Sequence, residues 1–193
     1  MNAGPRQQFY ILGFFVALLF YGGAVTIGQH LGMVWIDTVA ALFVCICLAL
    51  IFPEPDAGLG WGKRSVLVLC SITLALYAVW LFGFWLWESH SSDIRLDVHT
   101  VIPLLGFVVA TPWFEEKLLR HLLLSSLAGF IRPVLASIAV SALFAVAHKG
   151  VMLWAFIVSL ALCWMRFRFK AKTAHCVIVH GLINAYVLLL YTL

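Results

Sequence analysis

Charge is what this sequence has least of: 12 Lys and Arg with 8 Asp and Glu, 10% of 193 residues. Soluble domains carry about 25%, so the shortage excludes an ordinary soluble enzyme. It also excludes a soluble domain on a single anchor, because no polar stretch is long enough to build a second core. A disulfide framework or zinc knuckle is missing too. The five cysteines (Cys45, Cys47, Cys70, Cys163 and Cys176) all lie in apolar runs without ligand or bridge spacing. Cys45 and Cys47 stand two apart and point in different directions on a helix, so all five read as small core residues. There is no internal repeat, no low-complexity tail and no His-Glu-x-x-His helix. The net charge of +4 forms no nucleic-acid-binding pattern, and no nucleic-acid partner is expected.

What is there is apolar: 64% hydrophobic residues and a mean hydropathy of +1.07. The runs predict an all-α bundle of about seven transmembrane helices in one domain over residues 1–193. Three N-terminal helices occupy 1–100 and the motif-bearing helices 101–193. The first span, Phe9–Gly28, is too long for a signal-peptide h-region of about 7–15 residues and reads as a retained helix. The second is Met33–Phe52, with Asp37 near an interfacial end, and the third Ser65–Trp87. The fourth starts near Val101. Val134–Ala147, Val151–Met165 and Thr173–Leu193 complete the set. Pro53–Arg64 and Glu88–Thr100 read as solvated loops, and His90 with His99 in the latter has no further residue at ligand spacing.

Lys and Arg in short loops set orientation. With the N-terminus in the cytoplasm, the inner loops hold Arg6, Lys63, Arg64, Arg132, Arg166, Arg168, Lys170 and Lys172, and the outer ones Arg95 and Lys149. The N-in, C-out arrangement is therefore predicted. The basic run Arg166–Lys172 is read as topology control.

One polar cluster interrupts this lipid-like chain: Thr111-Pro112-Trp113-Phe114-Glu115-Glu116-Lys117-Leu118-Leu119-Arg120-His121. A charge at the centre of a spanning helix costs ~2.5–3.5 kcal/mol on insertion scales, so an intramembrane cluster calls for partners and a function. Glu116 and Arg120 are i, i+4 and share a face. Glu115 is turned about 100° away. Pairing neutralises Glu116 and Arg120 and leaves Glu115 to face a cavity as a candidate general base. Two other segments carry matching groups: Phe144-x-x-x-His148, and His180-Gly181-Leu182-Ile183-Asn184, whose His180 and Asn184 again share a face. Converging in a bundle, Glu115 can deprotonate water with His148 helping to hold it, while His180 and Asn184 donate to a developing oxyanion. Helix rise puts His148 nearer the outer surface than Glu115, so a kink or break at Pro112 is expected to bring the motifs level. His121 and His175 read as structural.

Glu115-Glu116-x-x-x-Arg120, Phe144-x-x-x-His148 and His180-x-x-x-Asn184, in this order, resemble the three motifs of the CAAX-protease and bacteriocin-processing (CPBP, or Abi) family of glutamic-type intramembrane endopeptidases. The resemblance covers roughly Val101–Leu193. It implies Glu115 as the water-activating base, His148 as its partner, His180 and Asn184 as the oxyanion site and Glu116 with Arg120 as motif support, without metal or other cofactor. The all-membrane architecture favours a membrane-embedded or lipid-anchored protein or peptide substrate, cleaved at or within the bilayer, and residence in the bacterial cytoplasmic membrane is expected. Two readings compete: a zinc peptidase using His148, His180 and Glu115, and a non-catalytic binding or immunity protein. Oligomeric state is not legible.

Overall fold

The computed structural model describes residues 5–33, 35–55, 58–83 and 104–192, and among them regular structure is helical throughout. The helices are α1 (Pro5–His30), α2 (Ile36–Ile51), α3 (Lys63–Gly83), α4 (residues 104–130), α5 (Pro133–Ala147), α6 (Met152–Phe169) and α7 (Thr173–Thr192). Two start on proline, α1 at Pro5 and α5 at Pro133, where the missing N–H costs nothing.

Burial follows helical spacing. Tyr10, Phe14 and Ala17 of α1 meet Ala41, Val44, Cys45 and Leu48 of α2, and both sets pack on Phe114, Leu118 and Leu122 of α4. A second apolar cluster joins Leu69, Ile72, Leu76 and Trp80 of α3 to Val158, Leu162, Val179 and Ile183 of α6 and α7. Tyr77 ties α3 to α7 by donating to the carbonyl of Leu182 at 2.8 Å. The opposite faces carry large apolar side chains outward, among them Leu19, Leu50, Leu67, Phe82 and Leu153, as a lipid solvent requires and water does not.

Four stretches are long and apolar enough to cross a membrane: Arg6–His30, Lys63–Gly83, Lys149–Phe169 and Thr173–Leu190. The expected count of seven is thus met in helix placement but not in crossing length. α2 and α5, with 16 and 15 residues, rise only about 22–24 Å against a hydrocarbon core of about 30 Å. α4 holds Glu115, Glu116, Lys117 and Arg120 in its middle. The solvated-loop reading of Glu88–Thr100, with His90 and His99, lies outside the described residues.

Arg6, Arg166, Lys170 and Lys172 gather at one end. Ser126 near the end of α4 donates to the Gln7 carbonyl at the start of α1, 2.9 Å away. Leu59 donates to the Lys170 carbonyl at 3.0 Å, joining the α2–α3 loop to the α6–α7 loop. Glu54, between two prolines in that first loop, accepts from the backbone N–H and hydroxyl of Thr173, both at 2.9 Å, and pairs with Arg166. It caps α7 from another part of the chain. His175 completes the cap by accepting from the Lys172 N–H at 3.1 Å, in the manner of a capping box. Burial alone would raise the Glu54 carboxyl, but the Arg166 guanidinium and the hydrogen bonds from Arg166 and Thr173 hold it below the usual carboxylate range.

Candidate active site

α4 passes through Pro112 without a break. The residues before and after the proline widen into π-helical turns, Gly106–Ala110 and Lys117–Leu123, and the Thr111 N–H bonds to Gly106, five residues back. In that register Pro112 would have bonded to the carbonyl of Phe107, but proline has no N–H to give. The orphaned oxygen accepts instead from the side-chain amide of Asn184, 2.9 Å away on α7. Gly181, one turn earlier, permits the approach: a Cβ there would lie 2.5 Å from the Val108 carbonyl oxygen. Of the kink or break expected at Pro112, the break is corrected: the helix runs on with widened turns, because the π register and a side chain from α7 absorb the missing donor.

The two glutamates of α4 have different surroundings. Glu116 is wholly buried with Arg120 at 3.1 Å, a charge pair without directed hydrogen-bond geometry. The same carboxylate oxygen lies 2.9 Å from Nδ1 of His180. Arg120 also sits over the ring of Phe144, 5.0 Å from its centre, a favourable place for a desolvated guanidinium. Glu115 is 19% exposed and opens on a cavity of about 160 Å³ between α3, α4, α5, α6 and α7. Thr111, His148, His180 and Asn184 share its wall, with Trp80 and Trp154 on the apolar side.

His148 terminates α5. Its Nδ1–H donates to the Phe144 carbonyl at 2.8 Å, satisfying one of the free carbonyls at the helix end. That bond fixes the tautomer and turns Nε2 toward Glu115, whose Oε1 lies 3.9 Å away. The other carboxylate oxygen, Oε2, lies 3.7 Å from Nε2 of His180. Both gaps exceed a direct hydrogen bond and are of the size at which polar groups act through a third, shared group. The depth mismatch anticipated from helix rise is absent, since Glu115, His148 and His180 stand at one level.

Sequence reasoning had proposed His180 and Asn184 as donors to an oxyanion, and both already have protein partners. With Nδ1–H given to Glu116, His180 can donate from Nε2 only when it carries both ring protons. Asn184 has a second amide proton beyond the one given to Phe107. Lys117 had been passed over in the sequence: it is buried, and its ammonium donates to the Phe52 carbonyl at the end of α2, 2.7 Å away. Glu54, flanked by Pro53 and Pro55, was passed over as well. Its signal was a single acid held by two prolines in a short loop. Among the described residues no three His, Cys, Asp or Glu side chains are grouped as metal ligands.

A family model described as type II CAAX prenyl endopeptidase Rce1-like matches residues 97–186, just under half the chain. Residues 97–186 are thus similar to that family. The matched segment contains every residue of the polar cavity from Glu115 to Asn184. This agrees with the CPBP resemblance carried by the motifs. Among curated proteins and among solved structures, no match is found.

Proposed function

We propose that the protein is a glutamic-type intramembrane endopeptidase acting on a membrane-embedded or lipid-anchored polypeptide. The observation that carries this reading is the Glu115 carboxylate facing two imidazole Nε2 atoms, His148 at 3.9 Å and His180 at 3.7 Å, in one shared cavity. Glu115 takes a proton from water while Nε2 of His148 accepts the second hydrogen of that water and aims its lone pair. The hydroxide attacks the scissile carbonyl carbon. The resulting oxyanion is met by the free amide proton of Asn184 and, when the imidazole carries both ring protons, by Nε2–H of His180. Collapse breaks the C–N bond, and the proton held by Glu115 passes to the departing amine. Glu116 and Arg120 hold His180 in place from behind. A substrate that is itself apolar suits the Trp80 and Trp154 wall. Seven passes with an N-in orientation fit the gathering of cations at one end, with α2, α4 and α5 crossing as short or polar members of the bundle.

Membranes from cells expressing the protein and its Glu115→Gln variant are to be compared for peptide fragments. Loss of fragments with the variant by at least ~10²-fold, at equal protein level, is expected for a lost base. Fragments unchanged in Glu115→Gln would sink the protease reading and leave a binding role.

A further inference from the structure

A second polar cavity, of about 220 Å³, lies at the basic end of the bundle, away from Glu115, and includes Arg6, Tyr10, His121, Ser125 and Arg166 in its wall. Arg6 donates to the Tyr10 hydroxyl from Nη2 at 2.9 Å and Nε at 3.2 Å, which leaves guanidinium donors uncommitted. His121 is 1% exposed, and neither ring nitrogen has a hydrogen-bond partner. Its neighbour is the edge-on ring of Tyr10, 5.4 Å away. A buried imidazole with both nitrogens unpaired is costly unless the cavity receives a polar ligand. Among the described residues the acid nearby is Glu54, which is committed to Arg166 and to the cap of α7. Beyond Arg166, Lys170 and Lys172 line an adjoining cavity. The balance of charge favours an anion.

The same end of α1 opens on an apolar groove of about 330 Å³, formed by Phe9, Leu12, Val16 and Phe20 against Phe43 and Leu48 of α2. Phe52 stands between the two spaces. Its ring lies 4.8 Å from that of Phe9 in the groove and 5.5 Å from that of Tyr10 in the polar cavity. Gly13 makes room for it, since a Cβ there would fall 2.3 Å from the Phe52 ring. From Phe9 to Phe20 the groove runs about 16 Å along the helix, enough for much of one acyl chain.

We infer that this surface holds one anionic glycerophospholipid, its phosphate among Arg6, Tyr10 and His121 and an acyl chain along the α1–α2 groove. Basic pockets between helices at the membrane surface bind such headgroups by charge, and a chain in an adjoining groove gives the site its orientation. The site shares no residue with the Glu115 cavity, so it stands whether or not the protease reading does.

The test titrates the detergent-purified protein with phosphatidylglycerol and, separately, with phosphatidylcholine of the same chains, reading bound lipid by native mass spectrometry. Phosphatidylglycerol is expected to bind at least roughly fivefold more tightly, the effect of about one elementary charge at such a surface. Arg6→Gln should remove most of that preference and Arg6→Lys should keep it, which separates loss of charge from loss of folding. Val16→Trp, which fills the groove from its exposed side, should weaken binding of both lipids while the protein keeps its unfolding temperature. Glycerol phosphate, the headgroup without chains, should not compete at equal concentration. Equal binding of the two lipids, unchanged binding by Arg6→Gln, or full displacement by glycerol phosphate would each overturn the inference.

Discussion

Asn184 carries two assignments that one pair of substitutions separates. Its amide satisfies the Phe107 carbonyl that Pro112 leaves without a donor, and its second proton is proposed for the oxyanion. Asn184→Ala removes both. The structural part is a single hydrogen bond between helices in an apolar medium, and such bonds average about 0.6 kcal/mol with a maximum near 1.7. The catalytic part is larger, because one lost oxyanion donor costs about 10²–10³-fold in kcat. Pro112→Ala returns a backbone N–H to α4, which can bond to Phe107 in the π register or Val108 in the α register. In a Pro112→Ala background, then, Asn184→Ala should lose less stability than it does alone, with a coupling of about 0.5–1 kcal/mol. Activity should not recover. Stability is read by unfolding in mixed micelles of increasing denaturing detergent, and kcat by cleavage of a membrane-peptide reporter in the same micelles. Additive stability losses would refute the link between Pro112 and Asn184. Recovery of kcat in the double variant would refute the oxyanion role and leave Asn184 purely structural.

Removing Arg120 takes from the buried Glu116 its one permanent cation and leaves it only the His180 imidazole, so Arg120→Met should destabilise the fold by about 3–5 kcal/mol; the double variant with Glu116→Gln should recover part of that in the same unfolding assay. Glu54 has its carboxyl held below the usual range by Arg166 and Thr173 despite its burial. Its stabilising contribution is therefore complete above the ordinary carboxylate pKa and lost as pH falls through the lowered folded value; unfolding temperatures of wild type and Glu54→Gln should differ at neutral pH and converge in acid. Direct activation of water by Glu115 needs no metal, so cleavage should survive dialysis against a strong zinc chelator. A loss that zinc restores would instead favour the His148, His180 and Glu115 metal set.

Helix positions were legible because apolar runs and prolines mark them. Arg132-Pro133 falls at the α4–α5 turn and Pro53 just after α2, and the buried faces of α1 to α3 repeat at helical spacing. The separation of Glu115 from Glu116 was legible too, because one residue on a helix is a rotation of about 100°. Hidden from view was everything that depends on which helix lies beside which. Nothing local announces that Glu54 caps a helix 119 residues further on, or that Lys117 reaches the end of α2. Crossing length was obscured for a different reason: a hydropathy run does not say where a helix stops, and α2 stops short of its run at both ends, whereas the short α5 matches its run.

The common level of the three motifs follows from where depth is measured. Taken from an outer end of α4, helix rise puts Glu115 and His148 at different heights. Taken from the turn that α4 and α5 share, they do not. α4 ends at Phe130 and α5 begins at Pro133, and each residue lies fifteen positions from that turn, about 22 Å along its own helix. An antiparallel hairpin with so short a turn must bring such positions level, whatever its tilt. α7 joins them through a separate chain of bonds: Lys117 holds the Phe52 carbonyl, and Glu54, two residues on, holds Thr173. The first residue of α7 is thereby tied to the middle of α4, and His180, about 10 Å further along, comes to rest against Glu116. Two polar residues that are not among the named motif positions, Lys117 and Glu54, thus set the height at which the third motif meets the first.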